Sequence, residues 1–120
     1  MSTDCATIAS IPTLFLDQAR RLGPHPLLGA KQDGAWRWLS WAETESRALA
    51  LAGGLTRLGL KPGDRVMLVS ENRPEWAIAD LGVMIAGGVT VPAYVTNTVA
   101  DHLHILENAQ ARFVIVSTLA

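Results

Sequence analysis

"SENRPEWAIADLGVMIAGGVTVPAY", residues 70–94, passes from a polar, turn-forming cluster through an almost unbroken apolar run to two glycines and Val-Pro-Ala-Tyr. Pro74 falls in what would be the first turn of a helix, where its missing N–H costs little. Asn72 is placed to cap that turn, and Glu75 suits the positive end of the helix dipole. The stretch therefore predicts a helix over Glu75–Ala86. Trp76, Ala79, Val83 and Ala86 fall on one side and Ile78, Leu81 and Ile85 on another, so this helix is apolar nearly all round and needs covering by its neighbours. Gly82 and Ala86 permit close backbone approach. Gly87-Gly88 ends the helix and turns the chain into a short strand, Val89–Val91, where Pro92 limits further ladder pairing.

Lys61-Pro62-Gly63-Asp64 is a turn that delivers the chain into Arg65–Val69, whose continuous apolar core is the pattern of a strand buried on both faces. Val89–Val91 and Phe113–Val116 share that pattern, and a further helix is predicted over Thr98–Asn108. Strand, helix, strand, helix, strand implies right-handed crossovers and a parallel sheet with helices on its faces. In such sheets ligands sit beyond the carboxyl ends of the strands, which selects Ser70-Glu71-Asn72 and Pro92–Thr98 as the place for a site. A helix start near Asn72 suits an anion. Yet neither G-x-G-x-x-G nor G-x-x-x-x-G-K-[ST] occurs in the sequence, so no phosphate cradle is recognisable.

Before this region, Ser10 and Pro12 start a first helix in which Leu14, Phe15, Ala19 and Leu22 recur at helical spacing until Gly23 and Pro24 stop it. Leu27–Lys31 and Trp36–Ser40 flank Asp33-Gly34, a pair that favours positive φ and argues a β-hairpin. Ser40-Trp41-Ala42-Glu43 matches the S-x-x-E capping box. The helix it opens carries Glu45, Ala48, Leu49, Ala52, Leu55 and Leu58 on one stripe, with Arg47 and Arg57 toward water and Gly59 as its stop. The fold class expected is thus α/β: an N-terminal β-hairpin and helices leading into a partial parallel sheet flanked by helices. Residues 1–10 are expected to be a disordered N-terminus and residues 11–120 one partial domain.

With 120 residues, 49% of them hydrophobic, the chain has enough apolar surface for a real core. A formal net charge of -1 with no run of Lys or Arg gives no electrostatic footprint for nucleic acid or an anionic membrane. Cys5 is the only cysteine, which leaves no disulfide framework or thiolate metal set and fits a reducing cytoplasm. The start has no basic n-region or apolar h-region, and the most apolar segment, Ala77–Val91, is too short to span a bilayer and carries Asp80.

Taken together, "WAETESRALALAGGLTRLGLKPGDRVMLVSENRPEWAIADLGVMIAGGVTVPAY" followed by "HLHILENAQARFVIVS" resembles the N-terminal region of the adenylate-forming enzymes, the AMP-binding acyl-CoA synthetases. The order carries the resemblance: Leu-Gly after the long helix, Pro-Gly-Asp-Arg-Val into a strand, Asn-Arg-Pro-Glu-Trp into a helix, Gly-Val-x-Val-Pro, then His-Ile-Leu before an apolar strand. It spans roughly residues 11 to 118, and "ENRPEW" and "VTVPAYVTN" look most like the long-chain fatty acid branch.

The resemblance implies a two-step reaction in which a carboxylic acid, here a fatty acid, attacks the α-phosphate of ATP to give an acyl-adenylate, and coenzyme A then displaces AMP. Mg²⁺ and cationic donors are expected to stabilise the phosphate charge. The family's Ser/Thr/Gly-rich phosphate loop and lysine, its adenine-contacting aromatic segment, its ribose-binding aspartate and its mobile-domain lysine all lie downstream of a position matching Ala120. No catalytic, cofactor-binding or metal-binding residue is therefore assigned here, and the chain is expected to be the inactive leading part of a longer ligase, with an open sheet edge available for self-association.

Other residues admit sharper readings and plainer ones. His102 and His104, two apart on a helix, do not share a face and have no carboxylate or cysteine set to complete a metal shell, so packing or a solvated surface is the expectation. His25, between two prolines, reads as loop. Trp36, Trp38 and Trp41 could form a stacking platform, but packing of the hairpin onto the rest of the domain needs fewer assumptions. Asp80 in an apolar helix calls for an ion pair, with Arg73 as partner, or an exposed edge. Tyr94 and Thr96 are read as structural rather than ligand-lining. The alternative to a ligase segment is a small stand-alone α/β binding module without catalysis; a flavodoxin-like nucleotide domain is disfavoured because Glu71 stands where a phosphate loop would be.

Overall fold

The computed structural model describes residues 9–118. Residues up to Ser46 form one compact unit and those from Arg47 on form another. Cys5 and most of the segment expected to be disordered lie outside the described residues, whereas Ser10 is the N-cap of the first helix.

In the first unit, α1 (Ile11–Leu22) is capped by the Ser10 hydroxyl, which accepts from the Thr13 N–H, and it ends at Gly23 with φ 39°. Its buried positions are Phe15 and Ala19. Strands β1 (Pro26–Gln32) and β2 (Ala35–Ser40) pair antiparallel around Asp33-Gly34, both at positive φ, as the turn pair requires. Phe15 stacks on Trp41 with ring centroids 6.0 Å apart. The capping box at the start of α2 (Trp41–Arg57) is present: the Glu43 N–H donates to the Ser40 hydroxyl and the Ser40 N–H to the Glu43 carboxylate. Thr44, one turn in, is fully buried and donates its hydroxyl to the Ser40 carbonyl.

In the second unit, β3 (Arg65–Val69), β4 (Val89–Ala93) and β5 (Phe113–Val116) form a parallel sheet in the order β4-β3-β5, joined through α3 (Pro74–Ile85) and α4 (Val99–Ala109). Leu55 of α2, Leu60, Val66 and Val83 make the central core, with Leu51, Ala86, Phe113 and Ile115 packed around it. The buried stripe of α2 here is Ala48, Ala52 and Leu55; Leu49, expected on that stripe, is exposed, and Leu58 falls outside the helix, in the turn after Arg57. As expected, α3 is covered almost all round, with Glu75 its one exposed residue. Gly82 is the point of closest approach, since a Cβ there would lie 2.7 Å from Leu51 Cδ2.

Three local expectations need correction. The N-cap of α3 is Arg73, not Asn72, and no side chain caps it. Pro74 at the first helical position fixes that frame, because the residue before proline is driven to the extended conformation that Arg73 adopts. Strand β4 continues through Pro92 to Ala93, paired with Leu68 and Val69; a proline is tolerated because β4 is an edge strand. Finally, only β3 is buried on both faces, while Val114 and Val116 of β5 stay exposed. An apolar strand at a sheet edge is covered only where a helix lies over it. At the opposite end, Arg65 clasps the C-terminus of α4: its Nε donates to the Ala109 carbonyl at 2.7 Å and its guanidinium also reaches Gln110 Oε1.

Candidate functional site

From β3 the chain crosses through α3 to β4 on one side and returns through α4 to β5 on the other. The topological switch point therefore lies between β3 and β5, and its crevice opens at their carboxyl ends. Ser70, Glu71 and Asn72 follow β3 there, and Ser117 and Thr118 follow β5.

A polar chain spans that crevice. The Ser117 hydroxyl donates to Glu71 Oε2 at 2.7 Å, joining residues 46 apart in sequence. Arg73 bridges the other Glu71 oxygen at 3.0 Å and Glu75 Oε2 at 2.9 Å. The Ser117 hydroxyl, then the backbone N–H of Glu71 and the Arg73 guanidinium, hold the Glu71 carboxyl below its ordinary range. Arg73 likewise draws Glu75 down, and Glu75 first and Glu71 second hold the guanidinium proton more tightly. Arg73 is thus shared between two carboxylates at the entrance of α3, with Arg47 also acting on Glu75, so the guanidinium nearest the helix start is already engaged.

Two recesses flank this chain, with Ser70 and Trp76 in the wall of each. One, about 300 Å³, is bounded by Asn72, Pro92, Ala93 and Tyr94. The other, about 180 Å³, is bounded by Arg73, Glu75, Ile115 and Ser117. The expected site segments after β3 and β4 thus come together, but Tyr94 is 79% exposed at the lip and Thr96 is exposed beyond it.

Asp80 is half-buried, and Arg73 is engaged by Glu71 and Glu75 instead of by it. His25 and His104 are exposed. His102 faces a separate groove under α4. Trp36 and Trp38 stack on each other, centroids 6.0 Å apart, and remain exposed, not packed as expected. Trp38 lies over Gly29, its cross-strand partner, where a Cβ would meet the indole at 2.6 Å.

The Ser117–Glu71 bond is what sequence reasoning missed, because nothing local links the two residues. The alternating charges of Glu71-Asn72-Arg73-Pro74-Glu75 were the available signal for the rest. Among the described residues no group of three or more His, Cys, Asp or Glu could hold a metal ion, and no helix is long and apolar enough to cross a membrane.

Comparison with known proteins identifies the architecture. The profile of the family described as AMP-binding enzyme matches residues 15–120. The long-chain-fatty-acid–CoA ligase FadD15 of Mycobacterium tuberculosis is 39% identical over 79 residues, 66% of this chain and 13% of that protein. The long-chain-fatty-acid–CoA ligase ACSBG2 of Rattus norvegicus is 31% identical over 110 residues, 92% of this chain and 16% of that protein. Among solved structures, the N-terminal subdomain of Klebsiella oxytoca NpsA superposes with TM-score 0.84 at 26% identity, covering 94% of this chain and 29% of that one. NpsA in complex with 3-hydroxyanthranilyl-AMSN gives 0.85 at 26% identity, covering 95% of this chain and 22% of that one. The chain spans 13 to 16% of the length of these two curated relatives. With that profile running through both units of the fold, the chain belongs to the AMP-binding enzyme family.

Proposed function

We propose that residues 11–120 form the leading portion of an ATP-dependent acyl-CoA ligase of the cytoplasm, acting on a carboxylic acid of the fatty acid class through an acyl-adenylate and then a coenzyme A thioester. The observation that carries this reading is the similarity to long-chain-fatty-acid–CoA ligases across the strand and helix order of the parallel sheet. The role assigned to this segment is scaffolding. Its sheet supplies a buried central strand and a carboxyl-end crevice, and the Glu71–Ser117 bond bridges that crevice at one point.

The entrance of α3 carries two carboxylates on one guanidinium, and no phosphate-binding glycine loop is present in the sequence. On this reading ATP, Mg²⁺ and coenzyme A are held by the rest of the enzyme, and this segment alone is inactive. The open edges of the three-stranded sheet make self-association of the isolated chain a further expectation.

The test is fatty-acid-dependent ATP–pyrophosphate exchange. The 120-residue chain is expected to give none, and the polypeptide extended to the length of its relatives is expected to give exchange and a coenzyme A thioester. Exchange by the short chain, or a longer reading frame lacking a Gly/Ser/Thr-rich loop, would sink the proposal. A monodisperse short chain that unfolds cooperatively and has no longer form would favour the stand-alone binding module.

A further inference from the structure

Strand β2 sets Trp36 and Trp38 two residues apart, hence on one face of the hairpin, across from Lys31 and Gly29 of β1. Gly29 has no side chain, so the Trp38 indole lies down on the neighbouring strand, and Trp36 stacks on Trp38. The two rings make one aromatic shelf that stays open to water: Trp36 keeps 62% of its surface exposed and Trp38 58%. The exposure is not confined to the rings. All eight residues 31–38, on both faces of the hairpin and through the Asp33-Gly34 turn, are exposed. The charges on this tip are Lys31, Arg37 and Asp33, two cations against one acid.

We propose that the hairpin tip is a peripheral lipid contact, in which Trp36 and Trp38 enter the headgroup level of a neutral bilayer. The inference stands on the hairpin alone and goes beyond the ligase reading. Tryptophan, with an apolar ring body and a single N–H, is enriched where water meets hydrocarbon. Size selects lipid over a second protein: a standard protein interface uses about 20–30 residues a side, and the tip offers eight. A bilayer demands no matching surface, so each ring gains by leaving water on its own. Charge selects neutral lipid. The chain carries a formal net charge of -1 with no basic run, so attraction to anionic headgroups is weak and the indoles carry the contact. Lys31, across from Trp36, lays its stem along the apolar face while its ammonium stays in water.

Phosphatidylcholine vesicles, plain or brominated on their acyl chains, test this with the 120-residue chain and with the polypeptide extended to the length of its relatives. Both proteins are expected to sediment with plain vesicles, and raising the salt to about 0.5 M is expected to change that by less than about twofold. Trp36→Ala and Trp38→Ala should each weaken binding about tenfold. Brominated lipid should quench the tryptophan emission of the unsubstituted proteins and leave that of the double variant, which retains Trp41 and Trp76, unchanged. Binding that survives the double substitution overturns the proposal, as does binding that requires phosphatidylglycerol and is lost in salt. Binding by the short chain alone also overturns it, because the tip would then be engaged within the longer polypeptide. Bromolipid quenching of the unsubstituted chains needs no variant, so emission unaffected by brominated lipid overturns the proposal even where a variant misfolds. None of these readouts involves pyrophosphate exchange or thioester formation, so this inference and the ligase reading fail separately.

Discussion

Ser117 donates its hydroxyl to Glu71 across the mouth of the sheet, tying the end of β5 to the loop after β3. The hydroxyl is the largest influence lowering the Glu71 carboxyl pKa. Replacing Ser117 with Ala is therefore expected to raise that pKa toward the ordinary carboxylate value, read by carboxyl ¹³C NMR titration. Because the folded value lies below the unfolded one, the bond contributes stability above the ordinary carboxylate range and loses it as pH falls through the depressed value. An unmoved titration in Ser117→Ala would remove Ser117 from the crevice's electrostatics.

Gly82 faces Leu51 so closely that an added Cβ meets Cδ2 at 2.7 Å, Cγ at 3.0 Å and Cβ at 3.1 Å. Gly82→Ala sets a gain of about 1 kcal/mol in helix propensity against about 1–3 kcal/mol of overpacking. Overpacking prevails because Cδ2 and Cγ of Leu51 both lie at 3.0 Å or less from the added Cβ and must move together. A net loss of about 1 kcal/mol is expected in urea denaturation. In a Leu51→Ala background the same substitution should turn stabilising, and a sign unchanged there contradicts the packing argument.

The Ser40 hydroxyl accepts from the Glu43 N–H at 3.0 Å and starts α2. Ser40→Ala should lower stability by about 1 kcal/mol. Ser40→Asp, which keeps an acceptor at the cap, should restore most of it in the same denaturation series.

Pro92 blunts the outer edge of β4, and Val114 lies on the opposite edge strand. Pro92→Val is expected to increase concentration-dependent association of the 120-residue chain, and Val114→Lys to decrease it, both measured by light scattering. Identical behaviour of the three proteins would show that neither edge governs association.

Much of this fold was legible because its signals are local. Asp33-Gly34, Ser40 with Glu43, Pro74 and Gly87 each dictate backbone geometry within a few residues, and every element they bound is present. What escaped was non-local. Phe113–Val116 reads like Arg65–Val69 in composition, yet one is an edge strand and the other central, a difference set by sheet order and not by the strand itself. Leu49 follows the helical period yet faces water beside the buried Ala48 and Ala52, and Leu58 lies in the turn after α2 has ended at Arg57. The site was legible as a position, at the carboxyl ends of the strands. Its Ser117–Glu71 bond was not, because 46 residues of chain separate the partners.

The clasp of Arg65 on the last carbonyl of α4 gives the sheet an unequal mechanics. Its amino-terminal rim is held to α4 through a charged, multidentate side chain, whereas at the rim that faces the crevice the side-chain tie is one serine hydroxyl, beside the bond from the Ser117 N–H to the Val69 carbonyl. The two ends of the sheet thus differ in chemistry: a guanidinium anchors a helix at one, and a hydroxyl–carboxylate bond joins two loops at the other.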